Sequence, residues 1–206
     1  MTDLKRIVWL ASYPKSGNTW MRSLLAHYFM PKGAAPDINN LRQFTTGDTR
    51  VDFFDRAVGG RYSASSPAEW MRVRGRALQL IAASKPNHHF VKTHCQAVEY
   101  LGKPLIPNEV TAAAIYILRN PFDVAPSFAR HQSCDVDTAI ERMGDPLTMM
   151  GSERGVYDAL GRWDVHAQSW LTANGHVVHL VRYEDLLTKP GPTMRQLLQQ
   201  FLRVKV

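Results

Sequence analysis

With only Cys95 and Cys134 among its 206 residues, the chain has no cysteine framework to hold it together. One bridge is the most they allow, and a reducing cytoplasm is the simpler inference. Long apolar runs are missing too. The first, Ile7, Val8, Trp9, Leu10 and Ala11, follows Lys5 and Arg6 and is broken by Ser12 and Pro14. It is too short for a secretory segment or a membrane span, and no later stretch reaches the roughly 18 apolar residues that a span needs. Acidic residues are in the minority: 18 Asp and Glu against 25 Lys and Arg leave a net charge of +7, with a pI near 9.6. That balance favours an anionic partner without separating nucleotide from nucleic acid or membrane. The basic residues are scattered, which argues against a polybasic tail. His88, His89, His94 and Cys95 lack paired ligand spacings and a second cluster, so no metal is expected.

What is present is organised around residues 7–28. The apolar run 7–11 suits a strand buried on both faces. Tyr13, Pro14, Lys15, Ser16, Gly17 and Asn18 then break the pattern, and Trp20, Leu24, Leu25 and Tyr28 resume it at helical spacing. A loop feeding a helix N-terminus presents unpartnered N–H groups and the positive end of the helix dipole, a natural seat for phosphate or sulfate. Gly17 lets the backbone approach an oxyanion, Lys15 adds charge, and Ser16 and Thr19 add hydroxyl donors. The loop is not GxxxxGK[ST], because its lysine precedes its glycine; a polar turn with a solvated lysine is the plain alternative.

Further along, residues 31–60 read as loops with short helices. Ser66 is an N-cap with Pro67 in the first helical position and Glu69 three residues on, opening a helix to about residue 84 whose face carries Trp70, Val73, Ala77, Leu80 and Ile81. Strands are expected at 89–93, 113–118 and 177–181, with helices at 121–130, 135–142, 156–171 and 192–202. Pro126 requires a kink or a first-turn position in its helix. Strands alternating with helices predict a single α/β domain, a parallel sheet covered on both faces, with ligands at the carboxyl ends of its strands. A chain of this length buries roughly 70% of its unfolded surface.

Candidate functional residues fall at those strand ends. Lys92 and His94 lie two apart, on one side of an extended segment, where the histidine could take a proton from an attacking hydroxyl or could simply pack. Arg119 could grip a phosphate, or pair with Asp123. Tyr183 follows the 177–181 strand in what could equally be a plain helix-entry turn, and Trp20 could be core.

Three strings narrow this. YPKSGNTW (13–20) resembles the 5′-phosphosulfate loop of sulfotransferases that use 3′-phosphoadenosine 5′-phosphosulfate (PAPS). KTH (92–94) resembles that family's KTH motif, and LRNPFDVAPSF (118–128) its 3′-phosphate segment, while RYEDL (182–186) is similar to a segment whose tyrosine lies near the nucleotide. The resemblance runs from residue 7 to about 202 and implies a three-layer, P-loop-like α/β fold with a central parallel sheet flanked by helices. It implies in-line sulfuryl transfer from PAPS to a small-molecule hydroxyl or amine, in the cytoplasm, with no nucleic acid, membrane or metal involved. His94 would be the base, Lys15 and Lys92 the charge-stabilising groups, and Lys15, Ser16, Gly17, Asn18, Thr19, Trp20, Arg119, Ser127 and Tyr183 the nucleotide contacts. Cys95-Gln96 stands where many members have Leu-Pro, which leaves the acceptor contacts open, and the loops 31–65 and 133–157 that would choose the acceptor carry no readable code. The family continues past the last residue, Val206, with a segment that closes over the nucleotide. Residues 1–206 are therefore expected to be one domain truncated relative to the family, with low turnover. A P-loop-like kinase, which needs Mg²⁺ and acidic ligands, and a non-catalytic nucleotide-binding protein are the alternatives.

Overall fold

The apolar run at 7–11 becomes the middle strand of a parallel sheet. The computed structural model describes residues 6–31, 34, 37–173 and 175–204, so Lys5 and the Lys205 and Val206 end lie outside the described residues. The strands are β1 (Ile7–Ser12), β2 (Thr46–Gly47), β3 (His89–Thr93), β4 (Glu99–Tyr100), β5 (Lys103–Pro104), β6 (Thr111–Leu118), β7 (Met149–Gly151), β8 (Tyr157–Ala159) and β9 (Val178–Arg182). The helices are α1 (Asn18–Phe29), α2 (Val51–Val58), α3 (Pro67–Ala83), α4 (Pro121–Gln132), α5 (Val136–Gly144), α6 (Trp163–Leu171), α7 (Tyr183–Thr188) and α8 (Pro190–Gln196).

The main sheet has the order β2-β3-β1-β6-β9, every neighbour parallel. β1 is buried from end to end because helices cover both faces. Its alternate residues feed two cores: Ile7, Trp9 and Ala11 pack with Trp70, Ala77, Leu78 and Ile81 of α3, and Val8 and Leu10 with Met21 and Leu25 of α1. Each such fully buried side chain contributes about 1.5–3 kcal/mol. The expected three-layer α/β architecture is therefore the one observed. Among the described residues no helix is long and apolar enough to cross a membrane.

Several elements differ from expectation. Residues 156–162 are not helix: β8 pairs antiparallel with β7, and Gly161 (φ 56°) turns the chain before α6 begins at Trp163. A Cβ at Gly161 would lie 2.3 Å from the Gln96 amide nitrogen, so the turn is built for glycine. Trp170 and Trp163 consequently serve different cores, the first stacked on Tyr116, the second against the α4–α5 cluster. The region read as loops and short helices holds a strand, β2, at the sheet edge. Pro126 sits inside α4, beyond its first turn. The last helix starts at Pro190 and passes into a π-helical turn, Leu197–Phe201.

Candidate active site

The carboxyl ends of β1, β3, β6 and β9 open into one cleft of about 670 Å³, lined by Lys15, Gly17, Asn18, Thr19, Trp20, Lys92, His94, Arg119, Ser127 and Tyr183 among others. At its base the turn after β1 places Lys15 (φ 68°) and Gly17 (φ 101°) in the left-handed region. Gly17 is the N-cap of α1, and no side chain caps that helix, so its first N–H groups are left to face the cleft. The glycine is required twice over, since a Cβ there would lie 2.5 Å from Cδ2 of Tyr183. Tyr183 opens α7 and also packs edge-on to Trp20, centroids 5.6 Å apart.

Arg119 does not turn toward Asp123. It donates to the Lys15 carbonyl at 3.0 Å and lays its guanidinium 4.2 Å from the centre of the Tyr183 ring. Its Nε is buried without a partner among the described residues, a donor left over for a ligand. Glu184 accepts from the Asn120 N–H at 2.9 Å, tying the RYEDL segment to the start of α4. Ser16 is the one predicted contact that does not line the cleft: it is buried, and its Oγ has no partner among the described residues. Asn18 lines the cleft, yet its amide nitrogen reaches back to the Leu10 carbonyl at 2.8 Å, so its side chain ties helix to strand.

His94 stands just past β3, buried at the cleft wall. Its Nδ1 lies 2.7 Å from the Ser12 carbonyl oxygen, which can only accept, so Nδ1 carries the proton and Nε2 keeps the lone pair. Burial, then the neighbouring Lys92 charge, hold its pKa well below the usual histidine range, which keeps the ring neutral at pH 7. Its backbone is gripped as tightly. His166, pushed down to about 4 by burial, donates from Nε2 to the His94 carbonyl at 3.0 Å and accepts from the Tyr116 hydroxyl on its other nitrogen at 3.0 Å. Beneath β3, the buried Arg74–Asp48 pair (2.8 Å) and the Thr93 hydroxyl on the same Asp48 oxygen (2.8 Å) fix the strand end.

Sequence reasoning missed six of the cleft's lining residues, Pro14, Ser23, Ile38, His131, Met150 and Asp158. His131 had a signal, lying one helical turn after Ser127 on α4. Met150 and Asp158 had none, since the β7–β8 pairing that brings them in was not legible. Asp158 is half-buried, and burial followed by the charge of Asp48 pushes its carboxyl up to about 7. Asp48, Cys95 and Asp158 hold their polar atoms within 4.8 Å of one another. That trio is poorly suited to a cation, because Arg74 already occupies Asp48 and burial keeps the Cys95 thiol protonated, with its pKa pushed up to about 12.

A five-stranded parallel sheet flanked by helices, with a glycine turn and basic residues at its strand ends, defines an α/β protein of P-loop-like fold. The family model for the sulfotransferase domain matches residues 5–206, and the chain belongs to that family. Solved structures share the fold: a mouse sulfotransferase complexed with PAP (18% identity, TM-score 0.57, 98% of this chain and 59% of that one). So do a retinol dehydratase in complex with androsterone and the inactive cofactor PAP (22%, 0.58, 97% and 60%) and the sulfotransferase domain from the curacin biosynthetic pathway (20%, 0.51, 100% and 76%). The chain spans about 60% of the length of the first two. No curated protein sequence matches it.

Proposed function

We propose that the chain is a PAPS-dependent sulfotransferase domain, acting in the cytoplasm on a small-molecule hydroxyl or amine. The observation that carries the reading is a neutral His94 whose Nδ1 is taken by the Ser12 carbonyl, leaving Nε2 without a partner among the described residues, in the same cleft as Lys92 and the Gly17 cradle. The donor nucleotide suits the residues present: unpartnered helix N–H groups and Lys15 for the 5′ end, Arg119 and Ser127 for a 3′-phosphate, Trp20 and Tyr183 as aromatic walls. Solved structures of the same fold complexed with PAP support this choice. Two free thiols agree with a reducing compartment.

On this reading His94 Nε2 accepts the acceptor's proton as its oxygen or nitrogen bonds to sulfur, and the bond from sulfur to the phosphate oxygen breaks to release PAP. Lys15 and Lys92 stabilise the charge that grows on the bridging and sulfuryl oxygens, an electrostatic contribution of about 3–4 kcal/mol per well-placed donor. Isothermal titration with PAP against ATP plus Mg²⁺, followed by PAPS turnover, tests the reading. PAP should bind in preference. His94→Ala should lower turnover by about 10²-fold or more and leave PAP affinity within a few-fold, whereas Lys15→Ala should damage both. Tighter binding of ATP with Mg²⁺ than of PAP would overturn the assignment in favour of a kinase.

A further inference from the structure

We propose that Asp158 selects the acceptor, taking the protonated amine of an amino alcohol whose hydroxyl faces His94. The inference rests on the sulfotransferase reading and narrows its acceptor to a cationic class.

Among the described residues Asp158 is the only acid lining a cleft whose other charged and titratable walls are Lys15, Lys92, His94, Arg119, His131 and Tyr183. A carboxylate works against the binding of an anionic donor in such a place, so its presence calls for a cation. The protein does not supply one in contact: among the described residues no ion pair involves Asp158. Arg74, the nearest guanidinium in the buried layer below, is committed to Asp48 at 2.8 Å and to the Leu105 carbonyl at 3.1 Å. Lys92 acts on Asp158 as a charge nearby rather than as a bonded partner. The remaining neighbours, Asp48 and the protonated Cys95 thiol, offer no positive charge.

Position gives the rest of the argument. The Gln96 N–H donates to the Ala159 carbonyl at 3.0 Å, which holds β8 against the chain just past His94, and Asp158 and His94 line the same cleft. A molecule that offers its hydroxyl to Nε2 therefore has Asp158 within a few bonds' reach. β8 presents the acid, and β7, paired to it, brings Met150 to the same wall, which gives the acceptor end an apolar surface next to one anionic point. An ammonium carried by the acceptor completes the charge balance of the cleft and forms a charge-assisted hydrogen bond where water is partly excluded.

The test uses two alcohols of one shape, 3-(aminomethyl)benzyl alcohol and 3-ethylbenzyl alcohol, titrated calorimetrically at pH 8 into the PAP-loaded protein. The wild type should bind the amine at least about tenfold tighter, as expected for a charge-assisted contact. Asp158→Asn should abolish that preference through loss of the amine's affinity alone, Asp158→Glu should keep it, and PAP affinity should stay within about twofold. Equal binding of the two probes, no detectable binding of the amine, or a preference that survives in Asp158→Asn would overturn the inference. So would a matched loss of both probes, which would make Asp158 a positioning residue for His94. Failure to bind PAP at all would instead bring down the sulfotransferase reading, and this inference with it. Normal PAP binding without an amine preference would sink the inference alone.

Discussion

At Gly17 two constraints meet that can be separated by experiment. The left-handed backbone costs a residue with a Cβ about 1–2 kcal/mol, and the added carbon would press on Tyr183 at 2.5 Å. Gly17→Ala should therefore lower both the unfolding free energy and PAP affinity. In the Gly17→Ala/Tyr183→Ala pair the combined loss should be smaller than the sum of the single losses, because the clash is gone and only the backbone strain is left. Additive losses in denaturant titrations would show that the ring can swing clear. Asp158 gives a second residue-scale prediction. Its pKa is raised to about 7, so the stability it favours is fully present below the unfolded carboxylate pKa and lost as pH rises through 7. Asp158→Asn should hence stabilise the fold at pH 8 by about 1–3 kcal/mol, allowing for its partial exposure, and by nearly nothing at pH 4. A group kept at that expense is one the cleft uses.

Elements bounded by side-chain chemistry were legible, and those bounded by tertiary pairing were not. α3 begins where its cap says: the Ser66 Oγ accepts from the Glu69 N–H at 3.3 Å, while the Glu69 carboxylate accepts from the Ser65 N–H at 2.7 Å. Ser66→Ala should cost about 1 kcal/mol in a chemical denaturation curve, with the m-value unchanged. β3 was readable because its apolar residues are bracketed by a change of pattern, and the anion cradle because its glycine and lysine sit between a strand and a helix. β8 was lost for the opposite reason. Tyr157, Asp158 and Ala159 pair with β7 through a tight turn at Ser152–Gly155, and three residues are too few to show a strand's alternation in the sequence. β2, two residues at the sheet edge, is held by β3 alone. The consequence reaches the cleft: all but Ser16 of the residues expected to line it, at and beyond the carboxyl ends of β1, β3, β6 and β9, do so, whereas the wall formed by the β7–β8 hairpin was not anticipated.

Across the whole molecule, buried histidines set the response to acid. Burial pushes His166 down to about 4, and lowers His89 and His94 as well. Groups with depressed basicity in the fold favour it fully above pH 6.5 and lose that contribution as pH falls, about 3 kcal/mol for His166 by pH 4. Asp158 works in the other direction over the same range. The urea midpoint of the Asp158→Asn protein should thus fall more steeply between pH 8 and pH 4 than that of the wild type, and the two curves should converge at the acid end. Parallel curves would place the proton uptake elsewhere.

The position of β1 at the centre of the sheet has a consequence of another kind. Its neighbours β3 and β6 come far later in the chain, and Trp9 donates to a Thr111 that is 102 residues away. During synthesis at roughly 5–20 residues per second, the most apolar strand leaves the ribosome several seconds before anything can pair with it. The nascent chain must pass that interval with the future centre of its sheet uncovered, a period in which a chaperone's hold decides between folding and aggregation.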